Sequence, residues 1–379
     1  MTVALLTSRH IPEDDRLFHH LAVTLAGAGH DAVVISGRGE EEVKKKGVRI
    51  RAFDGSSMHR RERKERFIRI LGETAPAAVL CADPFSVHAA YRYRKRSGGK
   101  VRILYDITEW YPSKKELSRH ALFLRPLLFP VYLLYNLQAA ARSDAFLFGE
   151  WYKSRPYRIL FPRREHLSLP YYPDLRYIPY TEPSFSGKML RLTYNGKLSR
   201  EKGFGRFLDV VRMLAERRPA LVIRVKVIGW YADEREKKIL EKKQADMPGR
   251  VRITHHPFLE YHEFLQMIRD VDLFFDLRRG DPENQRCLPI RIFLYAALGR
   301  PVIFTNLKAL RREVETARFG RLVNPRDTAA VVRLVEEYLD DRQLYLAHCR
   351  EARRLAEERY NWSAVSGHFI TFLEKITVS

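Results

Sequence analysis

Short apolar runs alternate along this chain with longer segments whose apolar positions recur at helical spacing. Residues 3–7 are one such run, Val-Ala-Leu-Leu-Thr, and predict a buried strand. Residues 17–28 place apolar side chains three and four apart and end at Gly29, a residue suited to stopping a helix. The same reading predicts strands at 31–36, 48–53, 77–81, 101–105 and 145–148. Helices are predicted at 58–71 and 86–95, and a long helical region separates the last two strands. Strands separated by helices are βαβ units, which build parallel sheets covered on both faces.

Residues 154–188 break this rhythm. Pro156, Pro162, Pro170, Pro173, Pro179 and Pro183 are mixed there with tyrosines and phenylalanines, which predicts the end of one domain and a linker. The pattern then restarts with strands at 190–194, 221–228, 251–254, 273–276, 302–305 and 320–323. Helices are predicted at 207–217, 232–244, 260–269 and 290–298, and three more, at 328–339, 342–358 and 363–376, close the chain. The expected architecture is α/β, with two facing Rossmann-like domains at 1–185 and 186–360 and a terminal helix within 361–379. Ligands of such sheets bind beyond the carboxyl ends of the strands, so the cleft between facing domains is the expected site.

Composition narrows the class. A chain of 379 residues suits two domains, and 45% hydrophobic with 12% aromatic residues excludes a disordered polymer. The three cysteines, Cys81, Cys287 and Cys349, lie far apart in no metal-ligand spacing. They argue against a disulfide framework or a zinc site and fit a reducing compartment. Residues 1–36 lack the basic start and apolar core of a signal peptide, so a cytoplasmic location is expected.

Charge adds a partner. Lys and Arg number 68 against 46 Asp and Glu, a formal net charge of +22, interleaved along the chain. Either the partner is anionic (nucleic acid, phospholipid or a phosphorylated substrate) or the excess reflects an Arg-rich proteome. No nucleic-acid recognition motif accompanies the charge, so no nucleic-acid partner is expected. Residues 121–141 are apolar apart from Arg125, but they contain Pro126, Pro130, Asn136 and Gln138. Two prolines argue against one uninterrupted spanning helix. The stretch is expected to be a loop with a buried helix, or an apolar surface that touches a bilayer.

Two segments carry candidate chemistry. After the strand at 190–194 comes Asn195-Gly196-Lys197-Leu198-Ser199-Arg200-Glu201-Lys202-Gly203, a glycine turn leading into a helix. Gly196 permits close backbone approach, and Lys197 and Lys202 supply charge, which suits a diphosphate. Later, Pro289 opens a helix, Gly299 stops it, and Pro301 begins a buried strand.

In this order the two segments resemble the retaining GT-B glycosyltransferases of the group 1, family 4 type. Residues 196–203 resemble that family's "G-R/K-L…K-G" phosphate loop, and 288–303 its "P-x-K-x-x-E-Y-x-A-x-G-x-P-V-I" donor helix. Residues 319–325 and Tyr360-Asn361-Trp362 resemble its later "G-x-x-v-x-P" and "Y-x-W" segments. In the first half, 8–16 resemble "H-P-x-D-x-R", 29–33 resemble "G-H-x-V", and 105–112 resemble "Y-D-x-H-E-x-Y-P". Pro170-Tyr171-Tyr172-Pro173 resembles the "N-Y-P" before the linker.

The resemblance implies a GT-B fold whose terminal helix crosses back to the first domain. It implies transfer of a sugar, with retention, from a nucleotide sugar to a glycan or lipid-linked acceptor in surface polysaccharide or cell-envelope synthesis. Gly196, Lys197, Lys202, Glu283, Asn284, Arg291 and Leu294 fall on the donor side. His10, Asp15 and Arg16 fall on the acceptor side, and Asp106 and Glu109 are the catalytic candidates. No cofactor and no obligatory metal are expected. An anionic membrane surface is the expected partner of the basic protein, held peripherally on the inner face. The sequence departs from the family where Leu294 replaces the ribose-binding Glu, Arg286 replaces a second Glu, and Thr108 replaces the motif's His. Leucine accepts no hydrogen bond, and Glu283, Asn284 or Arg286 could replace it from the loop before. The alternative is a catalytically silent glycosyltransferase-like binding or scaffold subunit with a decayed donor site.

Overall fold

The computed structural model of the chain describes residues 1–109, 111–185 and 187–378, for Lys114 and Lys115 the backbone alone. Trp110 of the 105–112 motif and Ser186, the first residue of the expected second domain, lie outside them. The chain forms two compact units, Met1–Tyr171 with Val365–Ser379, and Tyr172–Ala364. The return of the last helical residues to the first unit is the crossing that the resemblance implied.

The first unit is built on an eight-stranded sheet. Its strands are β1 (Thr2–Thr7), β2 (Asp31–Ser36), β3 (Glu42–Lys45), β4 (Val48–Ala52), β5 (Ala78–Cys81), β6 (Arg102–Ile107), β7 (Ala145–Phe148) and β8 (Glu165–Ser168), in the order β3-β4-β2-β1-β5-β6-β7-β8. All neighbours are parallel except β3 and β4. The chain runs outward from β1 in one direction, then from β5 in the other, so the order reverses between β1 and β5. Near-continuous runs such as Val3–Leu6 and Val33–Ile35 are fully buried because helices cover both faces.

The second unit repeats the plan with β9 (Met189–Leu198), β10 (Val222–Tyr231), β11 (Val251–His256), β12 (Leu273–Asp276), β13 (Val302–Thr305) and β14 (Gly320–Val323). Their order is β11-β10-β9-β12-β13-β14, and the reversal lies between β9 and β12. Phe204, Phe207, Leu208, Val211 and Leu214 of the helix Phe204–Arg217 pack onto the sheet with Leu192, Tyr194 and Phe275.

Three expectations differ from the structure. β9 runs to Leu198, through residues expected to turn, because Gly196 pairs with Gly229 and neither glycine carries a side chain into the narrow ladder. Residues 154–171 belong to the first unit: the helix Trp151–Leu160 accommodates Pro156, and β8 follows it. Residues 125–142 form one helix despite two prolines, since Pro126 sits in the first turn, where backbone donors are free, and only Pro130 removes an internal bond. This helix buries Asn136, Ala139 and Ala140 at its far end, while Leu122, Phe123, Leu127, Phe129, Val131 and Leu134 are exposed at its start. No helix among the described residues is long and apolar enough to cross a membrane.

Candidate functional site

At the reversal point of the second unit, glycines let backbone and cations crowd together. Gly196 has φ of +104°, and a Cβ there would lie 2.6 Å from the Arg291 guanidinium. Arg291 donates to the Asn195 carbonyl at 2.6 Å. The Asn195 amide donates to the Tyr295 hydroxyl at 2.8 Å, and the Tyr295 ring lies flat on Phe274, centroids 3.9 Å apart. Arg291 and Tyr295, four apart on the helix Arg291–Ala297, therefore converge on one residue at the end of β9.

The loops after β9 and β12 are fastened to each other. Gly203, at φ +92°, lies so close that a Cβ would sit 2.2 Å from the Leu277 carbonyl oxygen. The Arg279 amide donates to the Glu201 carbonyl at 3.0 Å, and Arg206 donates to the Leu277 carbonyl at 3.0 Å. Lys202 is half-buried, its amide held by the Ser199 hydroxyl at 3.1 Å and its carbonyl by the Tyr194 hydroxyl at 2.9 Å. Lys197 is exposed on β9, paired in register with Trp230. The arrangement is a cationic, glycine-lined edge whose backbone is fixed in place, the form taken by phosphate-binding loops.

The remaining donor candidates stand differently. Leu294 is buried, with 8% of its surface exposed. Glu283 is half-buried. Asn284 is buried, and its amide donates to the Arg279 carbonyl at 2.9 Å and to the Asp281 carboxylate at 3.0 Å. Both of its donors are engaged inside the loop, which fixes the amide and leaves its oxygen as the atom that could accept.

The matching edge of the first unit is cross-linked by charge. Arg16 makes a two-pronged ion pair with Asp106 at 2.7 and 2.8 Å and donates to the Leu169 carbonyl at 3.2 Å. Asp106 is 1% exposed. Each of its oxygens accepts from the Arg16 guanidinium, so the two candidates are brought together as one buried pair. The Ser8 amide and hydroxyl both donate to Asp83, at 2.7 and 2.9 Å, which joins the ends of β1 and β5. His10 pairs with Asp14 at 3.0 Å. That bond raises the imidazole's pKa against the opposing effect of burial. Burial pushes the Asp14 carboxyl up, but His10 and the amides of Leu17 and Arg16 outweigh it and hold it below its ordinary value. Asp15 opens the following π-helical turn and is partly exposed, as is His10. Glu109 is exposed, and the Thr108 carbonyl accepts from the buried Lys153 at 2.5 Å. Lys153 forms a further ion pair with Glu150.

Asp83 and Lys153 were not among the residues singled out from the sequence; Asn195 and Tyr295 lie within the segments quoted above, and the i, i+4 spacing of Arg291 and Tyr295 already placed both on one helix face.

Residues 190–341 match the family model described as glycosyl transferases group 1. Mannosylfructose-phosphate synthase of Agrobacterium fabrum is 22% identical over 230 residues, 57% of this chain and 49% of that protein. The chain thus aligns with about half the length of this curated relative. Among solved structures, a sucrose-phosphate synthase from Thermosynechococcus elongatus is similar with a TM-score of 0.76 and 13% identity, over 100% of this chain and 99% of that one. Anabaena HepE, solved in complex with UDP-glucose, is similar with a TM-score of 0.71 and 14% identity, over 99% of this chain and 100% of that one. Both units thus have the GT-B fold, and the match to the group 1 glycosyltransferase model lies within the second unit.

Proposed function

We propose that this chain transfers a glycosyl group from a nucleotide sugar to a glycan or lipid-linked acceptor, with retention, in surface polysaccharide or cell-envelope synthesis. The observation that carries the reading is the glycine-lined cationic edge at the reversal of strand order between β9 and β12, where Gly196 packs against Arg291 and Gly203, next to Lys202, packs against the Leu277 backbone. Ligands of open α/β sheets bind outside the carboxyl ends of strands at such a point. Fixed cations there stabilise the negative charge that grows on a departing diphosphate. In this reading Lys197 and Lys202 hold the diphosphate, and Arg291 braces the Gly196 backbone that approaches it. HepE, solved with UDP-glucose, supports a uridine nucleotide as the first donor to test.

The acceptor enters along the first unit near His10 and Asp15, with Glu109 as the exposed carboxylate able to meet it. Arg16 and Asp106 are positioning residues that fix this loop. No cofactor or metal is assigned a role. The exposed apolar start of the helix at 125–142, beside Arg119 and Arg125, supports peripheral binding to an anionic membrane on its inner, cytoplasmic face. Leu294, aliphatic and buried where the family has its ribose-binding Glu, supports a second reading as a silent binding subunit. Turnover decides between them. Release of UDP from UDP-hexose in the presence of membrane extract, lost in Lys202→Ala, is the result expected of the enzyme. UDP binding without release from any hexose donor would favour the subunit.

A further inference from the structure

The second unit contains a cavity of about 580 Å³ at the carboxyl ends of β12, β13 and β14. Three guanidinium-bearing residues line it from three different elements. Arg206 lies in the first turn of the helix Phe204–Arg217, Arg279 follows β12, and Arg326 follows β14. Among the described residues, none of the three forms an ion pair. Their facing charges are close enough that burial and repulsion from Arg326 and Arg279 lower the pKa of Arg206. Asp281 is the one carboxylate in the lining, and it accepts from the amides of Glu283 and Asn284 and from the Asn284 side chain. Three positive charges therefore face one negative charge already engaged by its own loop.

This cavity adjoins the edge assigned to the donor, since Arg206 donates to the Leu277 carbonyl beside Gly203 and the Arg279 amide to the Glu201 carbonyl, and it extends from there to the ends of β13 and β14. Along β9, Tyr194 packs on Phe204 and Phe207, with ring centroids 4.7 and 5.7 Å away, while Asn195 turns the other way to Tyr295 and Arg291. Arg206 belongs to the helix on the Tyr194 side, and Arg291 to the helix on the Asn195 side. Val323, in the same core as Tyr194 and Phe207, also lines the cavity.

We propose that this cavity is a second anion site, which binds the phosphoryl group of a small phosphate monoester independently of the nucleotide. Guanidinium groups match phosphate oxygens in charge and geometry. The volume falls within the range of small-molecule sites, about 300–1,000 Å³, and so admits an organic body beside the phosphoryl group. Thr305 and Asn306 at the end of β13 offer it polar contacts.

The test uses the full chain with three probes at constant ionic strength: inorganic phosphate, glucose 6-phosphate and UDP, titrated by calorimetry. Glucose 6-phosphate is expected to bind more tightly than inorganic phosphate. Arg206→Gln and Arg326→Gln should each weaken it about ten-fold or more, the loss expected for a hydrogen bond to a charged group. UDP affinity should be unchanged in Arg326→Gln. Lys202→Ala should weaken UDP and leave glucose 6-phosphate unchanged, so failure of the donor reading and failure of this one are separable. Arg96→Gln, on the first unit, controls for net charge, and thermal melts confirm folding; should Arg206→Gln fail to fold, Arg279→Gln replaces it. Equal tightness of inorganic phosphate and glucose 6-phosphate would reduce the site to a simple phosphate site and overturn the monoester assignment. The proposal is also overturned if neither phosphate binds, if Lys202→Ala abolishes both ligands together, or if Arg96→Gln weakens binding as much as Arg326→Gln.

Discussion

The carboxyl edges of the two sheets share a topology and differ in electrostatics. In the first unit the charges at the edge are paired with one another: Arg16 with Asp106, Arg9 with Glu116, Lys153 with Glu150. In the second, among the described residues, Lys202, Arg291, Arg206, Arg279 and Arg326 form no ion pair, and the one carboxylate in the cavity lining, Asp281, is engaged by its own loop. Paired buried charges fix a conformation, since neither can be removed without stranding the other. Unneutralised cations over glycine backbone instead favour an anion from outside. One scaffold thus carries a wall of paired charge in one unit and, in the proposed reading, an anion cradle in the other.

The largest effect should come from breaking the wall. Arg16→Met leaves Asp106 as a buried charge without its partner, at a cost of about 3–5 kcal/mol. Urea unfolding monitored in the first unit measures it, and a loss under about 1 kcal/mol would show that Asp106 is rehydrated instead. Next is Gly203→Ala in the cradle. A positive φ and a carbonyl oxygen 2.2 Å from the new methyl group force the loops after β9 and β12 apart. The strain should destabilise by about 1–3 kcal/mol and also reduce UDP affinity. Loss of stability with full UDP affinity would separate the cradle from the donor.

The smallest effect concerns His10 and Asp14, a partly exposed pair worth at most about 1 kcal/mol. His10 has a raised pKa, so its contribution is full below the ordinary histidine value and disappears as pH rises through the folded value. Asp14 has a lowered pKa, so its contribution disappears as pH falls through its folded value. The pair therefore stabilises most between the two. Melting temperatures of the wild type and His10→Gln should differ in that window and converge at alkaline pH. A constant offset at all pH values would contradict the charge pairing.

Much of the fold was legible because buried parallel strands are written as short apolar runs, as at Val3–Leu6 and Val302–Phe304. Features set by partners distant in sequence were not. The extension of β9 to Leu198 depends on Gly229 lying opposite Gly196, and β3 depends on an antiparallel partner that neighbours it by a tight turn. Pro126 and Pro130 suggested a broken helix, but Pro126 lies in the first turn, where no bonded donor is lost, and only Pro130 gives up an internal bond. At the site, residue types alone named Lys202 and Arg291 but could not show that Asp106 and Arg16 form one buried ion pair. Nor could they bring Arg206, Arg279 and Arg326 to one cavity, because these lie on three elements joined only by the sheet.

The central claim is that the second unit binds a nucleoside diphosphate at the edge between β9 and β12. Calorimetric titration of UDP into the wild type, Lys202→Ala and the distant charge control Arg96→Ala tests it directly. The account predicts binding to the wild type, unchanged binding to Arg96→Ala, and binding about ten-fold or more weaker for Lys202→Ala, with an unchanged melting temperature. Equal UDP affinity for Lys202→Ala and the wild type would contradict it.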